Sequence, residues 1–149
     1  MKIVIITGSS GLVGSETAKF FHSKKFKIIG IDNDRRAYFF GKSASTKKIT
    51  KELKKNLKNF IHYNLDIRNY KKMEKIFKKF KNKIKCIIHT AAQPSHDWAI
   101  RDPLTDFNIN ALGTLNLLLL TKKYTPNSVF INVSTNKVYG DKPKLFATC

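Results

Sequence analysis

Apolar residues recur along the chain in two alternating rhythms. Residues 2–7, KIVIIT, form a short β-branched run that reads as a buried strand. The loop GSSGLVG follows, and then a helical stretch to about Lys24. FKIIGID (26–32) predicts a second strand, and the polar stretch 33–45 predicts a loop. In TKKITKELKKNLKN the residues Ile49, Leu53 and Leu57 recur at spacing four, which predicts an amphipathic helix. FIHY (60–63) is a third strand. Met73, Ile76, Phe77 and Phe80 then make one apolar stripe at helical spacing within 69–83. IKCIIHT (84–90) is a fourth strand, followed by a loop that holds Pro94 and ends at Pro103. A long helix is expected from 103 to about 123; ALGTLNLLLL is apolar around much of its girth, so burial on two sides is expected. SVFINVS (128–134) is a fifth strand whose apolar run reads as one made for burial; the helix that should cover it does not follow, so exposed apolar surface and an unpaired edge are expected there.

Short strands that are apolar on both faces, alternating with helices, are the sequence form of a parallel sheet covered on both sides. Right-handed crossovers then give a doubly wound, Rossmann-type α/β sheet in the order 3-2-1-4-5, one domain over 1–149. No internal repeat or linker interrupts it.

Charge changes the picture less than its size suggests. There are 29 basic residues against 10 acidic, a net charge of +19. Only four of the 29 are Arg (Arg35, Arg36, Arg68 and Arg101). Lys lacks the planar fork used to read bases and phosphates. Most of the lysines fall on the polar faces of predicted helices, so no specific nucleic-acid partner is expected, only weak salt-dependent attraction to polyanions. No run of 18 uncharged apolar residues exists, so no membrane partner is expected. Two cysteines, Cys86 and Cys149, make no disulfide framework, and cytoplasmic location is the default. No metal site is expected.

The chemistry begins at TGSSGLVG, where Gly8, Gly11 and Gly14 follow the first strand and open the first helix. Such glycines permit a tight turn, close approach to a pyrophosphate, and close packing of helix on strand. The helix N-terminus adds free N–H groups and partial positive charge. Asp32 ends the second strand 18 residues after Gly14, placed to accept hydrogen bonds from the adenosine ribose. Its charge repels a 2′-phosphate and favours NAD over NADP, whereas Arg35 and Arg36 in the following segment pull the other way. Asp66 ends the third strand. The small residues Thr90, Ala91 and Ala92 end the fourth, leaving room for a flat ligand.

TGSSGLVG, Asp66–Ile67–Arg68, HTAA (89–92), NINALGTLNLL and STNKVYGD together resemble the extended short-chain dehydrogenase/reductases that act on nucleotide sugars, the NAD-dependent epimerase/dehydratase family. The resemblance runs from Met1 to about Lys142. GIDNDRRAYFFGKSAST and HTAAQPSHDW narrow it to the branch that epimerises CDP-paratose at C2. It implies NAD as a cofactor that is not consumed, a CDP-sugar as the favoured substrate, and a homo-oligomer for the full-length protein. It further implies cofactor contacts from Gly8, Ser10, Gly11, Leu12, Val13, Gly14, Asp32, Asn33, Arg36, Thr90, Ala91, Ala92, Gln93, Asn110 and Val133. Asp66 and Ile67 would hold the adenine. Thr135 would bond the reacting sugar oxygen as the catalytic hydroxyl of this chain, with Ser95, His96, Thr135 and Asn136 at the sugar. Trp98 and His96 are open to a loop-packing role as well.

One element of the family pattern is missing: no Tyr-x-x-x-Lys follows Thr135. The string Tyr38–Lys42 has that spacing, but it lies in the loop after the second strand and is set aside. The expectation is an N-terminal, cofactor-binding part of a longer enzyme, inactive alone, truncated after the fifth strand and lacking the catalytic helix and sugar-binding portion. A nucleotide-sugar 4-epimerase, a 4,6-dehydratase and a non-catalytic NAD-binding protein remain as alternatives.

Overall fold

A computed structural model describes residues 1–135. Five strands, β1 (Ile3–Thr7), β2 (Lys27–Ile31), β3 (Phe60–Tyr63), β4 (Ile84–His89) and β5 (Val129–Asn132), form one parallel sheet in the order β3-β2-β1-β4-β5. β1 is central, and all five of its residues are buried. Successive side chains of a strand point to opposite faces. Val4, Ile6 and Ile28 therefore pack on one side with Ala18 of α1 (Leu12–Ser23) and Leu53 of α3 (Lys47–Asn56). Ile3, Ile5, Ile29 and Ile31 pack on the other side with α4 (Tyr70–Phe80), which contributes Met73, Ile76, Phe77 and Phe80. A register shift between Ile3 and Val4 leaves Lys85 unpaired and exposed, and it keeps Ile84 and Ile87 on the same face of β4. A bulge of this kind re-aims side chains without breaking the strand.

Three segments depart from the hydrophobic pattern. The expected loop over 33–45 contains α2 (Arg35–Phe40) and a 3₁₀ turn, Lys42–Ala44. Six residues are too few to show helical periodicity; Phe39, buried in the core beside α4, is what anchors them. Tyr38 therefore sits on a helix and not in a loop, its ring 5.2 Å from that of Trp98. The loop expected after β4 likewise contains α5 (His96–Arg101), capped by Ser95, whose hydroxyl accepts from the Trp98 N–H.

The long helix runs on to Tyr124 in three parts: α6 (Pro103–Phe107), a wide π turn (Asn108–Leu112) and α7 (Gly113–Tyr124). Only one side is buried, through Ile109, Leu117 and Leu120. Leu104, Phe107, Leu115, Leu118 and Leu119 face outward, against the expected burial on two sides. β5 forms an edge of the sheet with Val129 and Ile131 exposed, the bare apolar surface and open edge expected of the fifth strand. Apolar composition shows that a surface wants cover; it does not show what supplies it.

Candidate functional site

The ends of the strands open into a cleft of about 690 Å³ at the carboxyl edge of the sheet. Open parallel sheets bind ligands there, at the point where strand order reverses on either side of β1.

The loop after β1 builds its floor. Gly8 has φ +65°, and a Cβ on it would lie 2.8–2.9 Å from the backbone of Thr90 and Ala91, so strand end and neighbouring loop touch here. Gly14 meets Gly8 more closely still: a Cβ there would lie 2.1 Å from the Gly8 carbonyl oxygen. Around Gly11 the protein leaves room, with only that same oxygen, 3.3 Å away. Gly11 is the N-cap of α1, with no side chain to cap it and no acid in the first turn, so the N–H groups of that turn are left for a ligand. Cβ-free space beside an open helix N-terminus fits a pyrophosphate.

Asp32 lies beyond the end of β2. One carboxylate oxygen accepts the Ser10 N–H at 3.0 Å; the other accepts the Asp34 N–H at 2.9 Å and lies 3.3 Å from the Thr46 hydroxyl. A carboxylate has about four acceptor positions, so capacity remains for a ribose hydroxyl. Arg35 and Arg36 line the same end, their guanidinium groups stacked on Tyr38 and Phe40 at 4.9 and 5.1 Å. Asp66 accepts both the Arg68 backbone N–H and its guanidinium, at 2.8–3.0 Å. Burial pushes the Asp66 carboxyl up, but these bonds outweigh burial and hold it below the usual range.

Of the residues expected from sequence, Gly8, Gly11, Leu12, Val13, Gly14, Asp32, Asn33, Arg36, Asp66 and Ile67 line the cleft. So do Thr90, Ala91, Ala92, Gln93, Ser95, His96, Asn110, Val133 and Thr135. Ser10 lies behind it, acting on Asp32 through its backbone, while its hydroxyl pairs with that of Thr50 at 2.6 Å. Asn136 lies outside the described residues. Trp98 is not among the lining residues: its indole N–H donates to the Phe39 carbonyl at 2.8 Å and fastens α5 to α2. The cleft also takes in Thr46, His89 and Thr114, which sequence reading did not single out. His89 is buried, and burial pushes its imidazole down to about 4. Among the described residues no three His, Cys, Asp or Glu side chains come together to hold a metal ion, and no helix is long and apolar enough to cross a membrane.

Comparison with known proteins agrees with this architecture. The chain is 36% identical over 140 residues to CDP-paratose 2-epimerase of Salmonella typhi, covering 93% of this chain and 38% of that protein. It is 31% identical to UDP-glucuronate 4-epimerase of Thermodesulfobacterium geofontis, covering 96% and 42%. Among solved structures, UDP-glucose 4-epimerase of Bifidobacterium longum in complex with NAD⁺ and UDP superposes with a TM-score of 0.75 at 26% identity, over 93% of this chain and 38% of that one. The Thermotoga maritima UDP-glucose 4-epimerase with UDP-glucose gives 0.73 at 27% identity, over 93% and 40%. The chain thus spans about two fifths of the length of these relatives. The family model of NAD-dependent epimerases and dehydratases matches residues 4–148, and with the Rossmann-type sheet and the glycine loop in place, the chain belongs to the NAD dependent epimerase/dehydratase family.

Proposed function

We propose that this chain is the cofactor-binding part of an NAD-dependent nucleotide-sugar epimerase, with a CDP-sugar as the favoured substrate and C2 as the reacting carbon. The observation that carries the reading is convergence. The Cβ-free space at Gly11, the Asp32 carboxylate and the Thr135 side chain all line one cleft. The 36% identity to CDP-paratose 2-epimerase favours the 2-epimerase over a 4-epimerase or 4,6-dehydratase.

In this reading the first turn of α1 holds the pyrophosphate and Asp32 accepts the ribose hydroxyls. Asp66 and Ile67 bound the adenine, and Asn33, Arg36 and Thr90–Gln93 complete the cofactor cradle with Val133. When bound, NAD supplies reversible hydride acceptance, which lets a sugar carbon be oxidised and re-reduced on its other face. Thr135 bonds the reacting sugar oxygen, and Ser95 and His96 border the sugar. No Tyr-x-x-x-Lys string follows Thr135, so in this reading residues 1–149 bind the cofactor without turning over substrate. The outward apolar stripe of α6 and α7 supports a homo-oligomer for the whole protein. The buried, unpaired thiol of Cys86 is at ease in the reducing cytoplasm.

Calorimetric titration of the chain with NAD tests the reading. Saturable 1:1 NAD binding, abolished by Asp32→Ala, is expected, with product analysis of the whole protein deciding between C2 and C4. Wild-type chain that ignores NAD would refute it.

A further inference from the structure

A chain of polar contacts runs beneath the cleft, joining β1 to the long helix. The Ala91 N–H donates to the Thr7 hydroxyl oxygen at 3.3 Å, and that oxygen lies 2.6 Å from His89 Nδ1. On the other side of the ring, His89 Nε2 lies 2.9 Å from the Thr114 hydroxyl, which donates to the Asn110 carbonyl at 2.6 Å. The Asn110 side chain continues the line. Its oxygen accepts the Gln93 N–H at 2.8 Å, and its amide donates to the Gln93 carbonyl and to Asp106 at 3.1 and 3.0 Å. Gln93 in turn donates to the Ser95 carbonyl and to Asp106, both at 2.8 Å.

Counting hydrogens fixes the direction of every link. A hydroxyl has one hydrogen and a carbonyl has none. Thr114 gives its hydrogen to Asn110, so toward His89 it can only accept, and Nε2 must carry a hydrogen. A neutral ring then has a bare Nδ1, which accepts the Thr7 hydroxyl hydrogen, while the Thr7 oxygen receives Ala91. A doubly protonated ring would point a second N–H at Thr7 and displace that hydroxyl hydrogen. Among the described residues the ring's hydrogen-bond partners are the hydroxyls of Thr7 and Thr114, and the ring of Phe130 from β5 lies 6.4 Å away; none of the three is charged.

The chain meets the helix at its irregular point. Across the π turn Asn108–Leu112 the Gly113 N–H reaches back to the Asn108 carbonyl, and the Asn110 carbonyl takes the Thr114 side chain as a donor. π turns recur at functional sites. This one carries Asn110 to the 93–95 loop, which rims the cleft where the proposed sugar would sit.

We infer that His89 is a positioning residue: as the neutral Nε2–H tautomer it braces the π turn through Thr114 and thereby holds Asn110 and the 93–95 rim in place. The functional half of this inference rests on the proposed epimerase reading.

Long-range ¹H–¹⁵N correlation on the ¹⁵N-histidine-labelled 149-residue chain reads the tautomer directly. A neutral Nε2–H ring at pH 7 is expected; an Nδ1–H ring or an imidazolium would overturn the inference. Hydrogen exchange then tests the brace. Thr114→Val removes the hydroxyl at nearly constant shape, and at least tenfold faster exchange of the Gln93 amide is expected. Ile5 and Ile87 in the sheet should keep their protection, and Thr114→Ser should restore Gln93. Unchanged Gln93 exchange, or equal loss at all three amides, would overturn the brace. NAD titration of the same samples separates the two claims. If wild-type chain does not bind NAD, the functional half falls with the epimerase reading while the tautomer stands. If NAD binds and Gln93 does not respond, only the brace falls.

Discussion

The three glycines of the loop after β1 meet different surroundings, and alanine at each should read them out separately. At Gly14 the added Cβ would lie 2.1 Å from the Gly8 oxygen and 2.8 Å from its carbonyl carbon. Both are backbone atoms and cannot swing aside, so α1 must lift off the loop by more than an ångström to reach ordinary contact. Overpacking of this kind costs about 3 kcal/mol, the upper part of the usual range. With total stabilities of roughly 5–15 kcal/mol and a shift of about 2–4 °C per kcal/mol at this size, Gly14→Ala should lower Tm by about 6–12 °C. Gly11 has φ −75° and ψ 176°, a conformation open to alanine, and its Cβ would meet one atom at 3.3 Å. Gly11→Ala should leave stability within about 0.5 kcal/mol of the parent. The methyl would occupy the space reserved for the pyrophosphate, so NAD affinity should fall about tenfold to hundredfold, or about 1.4–2.8 kcal/mol. Scanning calorimetry and NAD titration on both variants make the test. A Gly11→Ala chain that loses as much Tm as Gly14→Ala, or that binds NAD like the parent, would refute the division of roles.

Other predictions concern the core, the titrating groups and the outer helix face. Phe77 is fully buried between α4 and the sheet, and Phe77→Ala should cost about 3–5 kcal/mol in urea denaturation. His89 is held near 4 when folded, below its ordinary value of 6.5, so the unfolded chain binds the extra proton first. Its contribution is complete above pH 6.5 and is lost as pH falls toward 4, an effect on the order of 3 kcal/mol. Tm measured from pH 7.5 to 4.5 should drop less steeply for His89→Gln than for the parent. Arg68→Met removes the bonds that offset burial at Asp66, so its carboxyl titration, followed by ¹³C NMR, should move upward. Leu115→Glu, on the outward face of α7, should reduce self-association in sedimentation velocity without lowering Tm.

Much of this protein was legible in its sequence, for a physical reason. Strands such as IVIIT are buried on both faces and helices such as α4 on one, so period and composition alone separate them. Alternation of the two then restricts the sheet to few orders. The helix α2 escaped because its anchor, Phe39, is a single residue whose partners come from distant elements. The open face of α7 escaped because a leucine looks the same whether or not it is covered. At the site, the glycine loop and Asp32 announce themselves by spacing. His89 and Thr114 do not: they are 25 residues apart, each ordinary in its own segment, and only the fold brings them within hydrogen-bond reach.

The central place of β1 in the sheet has a temporal side. Its pairing with β2, and that of β2 with β3, uses only the first 63 residues of the chain. Its other edge waits for β4, and Thr7 is 82 residues upstream of its partner His89. At typical synthesis rates of about 5–20 residues per second, that edge stays unpaired for roughly 4–16 s on the ribosome. The row Ile3–Ile6 is then a bare, apolar, parallel-pairing edge, the kind of surface that aggregates or recruits a chaperone. The strand that finally anchors the whole site is therefore the one that spends longest half-made.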